Sequence, residues 1–287
     1  MKTKGFFKHI GLAAGYLLFF MLLQGWVAAL FSFGMMMGSI GHPASSAEML
    51  DSIWQAADQI LQFNDVIMLL FYVGSIAYYL CFLFAETPSA PLRTARLGLP
   101  RRIAMMWTPL VLGTGFFFAV QGCMMLIPED SSMMLDYSEA VSVLGESPFP
   151  TLSFIATVYG APMIEELVFR GMVYRHLKRA LPVWLALLIQ ASLFAYVHGQ
   201  LLWMLYTFVL GAVFGLLYDY FDNLWPCIVA HMCFNACNYL PFLEDLSLEP
   251  VGWVIVLLAS LLLCALTLLL MLLYRRYSAE RRPLAHD

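Results

Sequence analysis

Apolar residues dominate eight stretches of this chain, roughly 10–33, 63–85, 104–127, 150–176, 182–198, 201–221, 224–240 and 251–274. A helix rises about 1.5 Å per residue, so about 20 apolar residues cross a hydrocarbon core of ~30 Å. The alternation of a transmembrane β-barrel strand is absent from the pattern. The expected fold is therefore all-α, a polytopic transmembrane helical bundle of about eight spans. The stretches 182–198 and 224–240 are short, and 150–176 carries charge in its interior. Segment 46–61 (SAEMLDSIWQAADQIL) places Met49, Ile53, Trp54, Ala57, Ile60 and Leu61 at helical spacing. It reads either as a short helix lying on the membrane surface or as a packed loop.

Composition agrees with this pattern. Of the 287 residues, 62% are hydrophobic and 12% charged, against about half and a quarter in soluble domains. The first apolar run is too long for a signal-peptide core and reads as a retained span. With no internal repeat and no soluble appendage in the pattern, the chain reads as one integral membrane domain, 1–287, with a polar core at 150–240.

Charge then supplies an orientation. Lys2, Lys4 and Lys8 precede the first span, and Arg93, Arg96, Arg101 and Arg102 lie between the second and third. Arg175, Lys178 and Arg179 follow the fourth, and Arg275, Arg276, Arg281 and Arg282 follow the eighth. The alternate loops are acidic, with Glu48, Asp51 and Asp58, then Glu129 to Glu146, then Glu244, Asp245 and Glu249. Positive loops stay in the cytoplasm, so both termini are expected there. The expected location, a separate reading, is the bacterial plasma (inner) membrane, as a multi-pass protein. The net charge of −4 and the lack of a basic block give no support to nucleic-acid binding. The six cysteines lie in apolar stretches without a CxxC, which argues against a disulfide or zinc framework.

The chemistry sits where charge is most costly. Ionisable groups at membrane depth cost several kcal/mol each, yet the fourth stretch contains Glu165, Glu166 and Arg170. Residues four apart share a helix face, so Glu166 and Arg170 are placed to pair, with the acid N-terminal, the better order. Glu165 lies about 100° round the helix and faces a different neighbour. Pro162 cannot donate to the carbonyl of Val158, which predicts a kink or loosened turn just before the glutamates. The fifth stretch carries Phe194 and His198 on one face, and the seventh carries His231 and Asn235. These two of the six histidines fall in the later apolar stretches.

Those residue types suit peptide hydrolysis by activated water. A carboxylate with a histidine can position water and accept its proton. A second histidine and a carboxamide can donate to the oxyanion of a tetrahedral intermediate. Ser192 lies on roughly the opposite face from His198 and reads as a packing residue, so no serine or cysteine nucleophile suggests itself. Zinc is the competing use, with Glu165, His198 and His231 as ligands. The helical H-E-x-x-H arrangement is missing, however, and the histidines come from separate stretches. Metal-free water activation is the favoured reading, and zinc stays the alternative.

At these residues the chain resembles the CPBP family of intramembrane proteases, also called the CAAX-protease, bacteriocin-processing or Abi family. The family motifs E-E-x-x-x-R, F-x-x-x-H and H-x-x-x-N stand here as Glu165-Glu166-Leu-Val-Phe-Arg170, Phe194-Ala-Tyr-Val-His198 and His231-Met-Cys-Phe-Asn235. Pro162, Phe169, Gly171 and Trp225-Pro226 extend the likeness over 150–240. The first three spans and the last carry none of it. The resemblance implies an eight-helix membrane fold like that of the type II CAAX prenyl endopeptidases. It implies that Glu165 and His198 activate water and that His231 and Asn235 form the oxyanion hole, with Glu166, Arg170 and Phe194 in support. Family members have also been labelled metalloproteases, which keeps zinc open. The partners implied are the lipid bilayer and a peptide or lipidated-peptide substrate, with no prenyl group specified.

Two other functions fit parts of the pattern. A non-catalytic bacteriocin-immunity or envelope-resistance protein would keep the fold without needing Glu165 and His198. A proton-coupled transporter would use buried Glu and His as a relay, but the broken-helix repeats of such proteins are not evident.

Overall fold

The protein is described from a computed structural model, which covers residues 3–39, 50–51, 64–86, 99–144, 149–240, 246 and 248–280. All regular structure among these residues is helical. The helices are α1 (Thr3–Ser39), α2 (Asn64–Glu86), α3 (Leu99–Met124), α4 (Ser132–Leu144) and α5 (Pro150–Ala180). They continue as α6 (Val183–Tyr196), α7 (Leu201–Phe221), α8 (Trp225–Cys237) and α9 (Pro250–Glu280). The candidate surface helix 46–61 falls outside the described residues, apart from Leu50 and Asp51.

Six of these helices, α1, α2, α3, α5, α7 and α9, are long and apolar enough to cross a membrane. The protein is an integral, multi-pass helical membrane protein. The expected spans at 182–198 and 224–240 are helices of 14 and 13 residues. At 1.5 Å per residue each reaches only about 20 Å, short of a ~30 Å core. Apolar composition runs on through the turns that end them, which is why it overstates their length.

Those ends have local causes. Gly199, at φ +74°, sits in the left-handed region that a side chain disfavours, and it stops α6. Gln200 then caps α7, its Oε1 accepting from the Trp203 N–H at 3.0 Å. At the start of α8, Asn223 Oδ1 accepts from the Trp225 N–H at 2.8 Å, and Pro226 occupies the first turn, where its missing N–H costs nothing.

The chain forms two compact units, 1–90 with 136–190, and 91–135 with 191–287. In the first unit α1 and α2 pack against α5. Phe20 of α1 meets Phe71 of α2 at 5.7 Å and Phe169 of α5 at 6.5 Å between ring centroids. In the second unit α3 packs against both α8 and α9. Glycines make that possible, because a Cβ on Gly113 would strike the backbone oxygen of Ala230 on α8. A Cβ on Gly115 would stand 2.7 Å from Cys264 Sγ on α9, and one on Gly122 would stand 2.9 Å from Leu257 Cβ. Small residues at these points let the helix backbones approach closely.

Candidate active site

The charged motif lies in α5, and the helix around it is not regular. Ile155–Gly160 and Leu167–Tyr174 are wound as π-helix, flanking the α-helical turn Ala161–Glu166. Pro162 has no N–H to return to the preceding turn, and the wider winding before it absorbs that loss. The loosened turn expected before the glutamates is therefore present, and a second follows them. Gly160 faces Tyr72 of α2 so closely that a Cβ would lie 2.5 Å from the ring Cδ2.

Glu166 and Arg170 form the expected pair. Arg170 Nη1 donates to Glu166 Oε1 at 2.8 Å, and both side chains are 0% exposed. Glu165, one residue earlier, is only half-buried. The two adjacent carboxylates thus differ in environment: one is sealed against a guanidinium and the other retains exposure.

Further along the first unit lies a polar cluster that the sequence reading missed. His176 is 1% exposed, more deeply buried than either His231 or half-buried His198, although it stands inside the basic run Arg175-His-Leu-Lys-Arg179. Its Nε2 lies 3.0 Å from Glu86 Oε2, which also accepts from Arg175 Nη2 at 2.8 Å. Tyr16 donates to the other Glu86 oxygen at 2.7 Å, and His9 Nδ1 lies 3.0 Å from His176 Nδ1. This ties α1, α2 and the end of α5 together. The available signal was Glu86, an acidic residue closing an apolar helix at its otherwise basic end.

The histidine motifs lie in the second unit. Phe194 is 1% exposed near the end of α6. His198 was expected on the same helix face, but α6 ends at Tyr196 and His198 stands in the turn beyond it. The pairing survives in another form, because His198 Nδ1 lies 2.7 Å from the backbone oxygen of Phe194. A carbonyl oxygen can only accept, so Nδ1 carries the proton and Nε2 of the neutral ring presents a lone pair. The Phe194 ring contacts both histidines edge-on, with centroids 4.9 Å from His198 and 6.0 Å from His231.

His231 is buried in α8, with Phe214 of α7 at 5.3 Å on another side. Half-buried Asn235 lies one turn further along α8. Two glycines set this arrangement. Gly211 lets α7 close on Ala191 and Phe194, and Gly113 seats α3 on the backbone beside His231. The structure therefore gathers Phe194, His198 and His231 in the second unit and pairs Glu166 with Arg170 in the first, where Glu165 also stands.

Among the described residues, neither unit by itself contains a group of three His, Cys, Asp or Glu side chains able to hold a metal ion.

Residues 147–237 match the family described as type II CAAX prenyl endopeptidase Rce1-like. That stretch opens just before α5, ends with α8 and contains all three motifs. The chain is also 28% identical over 123 residues to a Bacillus subtilis (strain 168) protein named "Putative membrane peptidase YdiL". That match covers 43% of this chain and 45% of the relative, so it spans under half of either protein. No solved structure gives a significant match. The resemblance to the CPBP and CAAX-protease family, read from the motifs, is borne out over this stretch.

Proposed function

We propose that the chain is an intramembrane endopeptidase that hydrolyses a peptide bond in a membrane-associated or lipid-modified peptide. The observation that carries this reading is the motif set, each residue buried or half-buried, inside the stretch that matches the peptidase family. The relative's printed name, a membrane peptidase, supports the same activity.

In the proposed reaction, Glu165 acts as general base with His198. Water oxygen attacks the peptide carbonyl as its proton passes to the carboxylate. The His198 tautomer supports this role, since its Nε2 lone pair can accept a hydrogen bond from the same water. The carbonyl oxygen becomes an oxyanion, to which the His231 ring N–H and the Asn235 amide donate. Collapse of the intermediate breaks the C–N bond, and the proton held on Glu165 goes to the leaving amine. Glu166 and Arg170 take no part in proton transfer and fix the turn that carries Glu165. If zinc were bound by Glu165, His198 and His231, it would supply Lewis-acid activation of the water. No step above depends on it.

The lysine and arginine pattern supports both termini in the cytoplasm, and the Bacillus subtilis relative supports a bacterial plasma membrane as the location. The test of the activity is cleavage of a lipid-modified candidate peptide by the purified full chain in detergent, wild type against Glu165→Ala. Cleavage by wild type alone is the expected result, and equal cleavage by both would overturn the proposal.

A further inference from the structure

The second unit contains a cavity of about 460 Å3 lined by no motif residue, between the start of α3, the end of α7 and the second half of α9. Its volume lies within the roughly 300–1,000 Å3 of small-ligand sites. Its walls change character along their length. Trp107, Val111 and Leu270 make an apolar stretch, while Thr108, Tyr220 and Tyr274 bring hydroxyls. Trp107 and Leu270 are 63% and 66% exposed, so the cavity opens sideways, onto the face a bilayer covers.

An arginine stands at the hydroxyl end. The guanidinium of half-buried Arg101 lies over the Tyr220 ring, 5.1 Å from its centroid. The Tyr220 hydroxyl also accepts a hydrogen bond from it, which fixes the guanidinium in place while its remaining N–H groups can meet an anion. The α9 side follows from helix register. Gly115 meets Cys264 and Gly122 meets Leu257, so α3 and α9 run antiparallel with each step along one matched by a step back along the other. The same register, continued, sets Thr108 level with Met271, and both line the cavity. One turn further it sets Ala104 level with Arg275, and Arg101 lies a turn beyond Ala104. Register thus places a second arginine, exposed Arg275, on α9 one turn beyond Met271, near the level of Arg101 and at the hydroxyl end of a groove whose floor is hydrocarbon.

We propose that this groove is a binding site for an anionic phospholipid. The phosphate lies between Arg101 and Arg275, within reach of the Tyr274 hydroxyl, and an acyl chain runs along Trp107, Val111 and Leu270. A free phosphate would satisfy only the arginines, and a zwitterionic lipid only the hydrocarbon. Basic pockets between membrane helices hold acidic headgroups for this reason. A second cavity of about 370 Å3, lined by Phe116, Met124, Leu205 and Leu261, is almost wholly apolar and lies toward the other end of α3, away from Arg101 and Arg275 in the helix register, so it carries no such selectivity. The proposal does not depend on proteolysis.

The experiment is native mass spectrometry of the purified full chain in detergent. The probes are phosphatidylglycerol, phosphatidylcholine with the same chains, and inorganic phosphate. Phosphatidylglycerol is expected to be retained roughly ten- to thirtyfold better than phosphatidylcholine, the effect of two cations on one headgroup. The Arg101→Gln/Arg275→Gln pair removes that preference and the Arg101→Lys/Arg275→Lys pair keeps it. Val111→Trp, which fills the groove and leaves both cations, also loses retention, while exposed Arg102→Gln retains it. Equal retention of the two lipids would overturn the proposal. So would an unchanged preference in the Gln pair or in Val111→Trp, an equal loss in Arg102→Gln, or displacement of the lipid by inorganic phosphate.

Discussion

The imidazole of His198 is held by the backbone oxygen of Phe194, 2.7 Å from Nδ1, although the two residues no longer share a helix. That bond selects the tautomer whose Nε2 can accept from water. Because the acceptor is backbone, the bond does not need the phenyl ring, and the two contributions can be separated. His198→Ala is expected to lower kcat by about 10²–10⁴, as loss of a positioned acid–base group does. Phe194→Leu keeps the carbonyl and removes only the ring contacts to His198 and His231. It should cost less than His198→Ala in cleavage assays on a lipid-modified peptide. An equal loss in both would mean that the ring, not the carbonyl, orients the imidazole.

The oxyanion assignment has its own signature. His231→Ala and Asn235→Ala should each lower kcat by about 10²–10³ with KM little changed, because the donors act on charge that appears in the transition state. Equal losses in binding and turnover would assign the two residues to substrate docking instead.

Glu166 and Arg170 lead to a different kind of prediction. Both side chains are sealed, and desolvation consumes most of what their attraction returns. Removing one partner is the damaging change. Arg170→Ala strands a carboxylate at the helix centre and should destabilise the protein by about 3–5 kcal/mol. The double variant Glu166→Gln/Arg170→Met leaves no buried charge and should recover most of that loss. Thermal denaturation in detergent reads both, and a double variant as unstable as Arg170→Ala would contradict the account.

These cases show which features were legible in the chain and which were not. The Glu166–Arg170 pair was, because spacing alone puts residues four apart on one face. Pro162 announced the loosened turn, since the lost N–H is a property of the residue. The end of α6 was misplaced, because Tyr196 to Leu202 stays largely apolar and only Gly199 and Gln200 mark the break. The buried His176 was hidden by its basic neighbours. Its burial comes from Glu86 and His9, contacts 90 and 167 residues away in sequence that no local pattern displays.

Glycine packing predicts loss of function without touching any motif. A Cβ at Gly113 meets the Ala230 backbone oxygen, next to His231, and a backbone atom in a helix cannot move aside alone. Gly113→Ala should therefore push α3 away from α8, cost about 1–3 kcal/mol and lower cleavage. Gly74→Ala is the matched control, with nothing within 4 Å of the added carbon. It should leave Tm and activity unchanged. Equal behaviour of the two variants would mean that the α3–α8 contact does not position His231.

Metal removal separates the two ways of activating water. In the proposed mechanism Glu165 itself holds the proton, so extended dialysis of the full chain against a chelator should leave kcat unchanged. Elemental analysis should then find zinc well below one equivalent, and Glu165→Gln should lower kcat by about 10²–10⁴ in the dialysed and undialysed protein alike. Loss of activity on dialysis, restored by zinc, would make Glu165, His198 and His231 ligands. Glu165→Gln would then lower zinc content together with activity, an outcome that the general-base role does not produce.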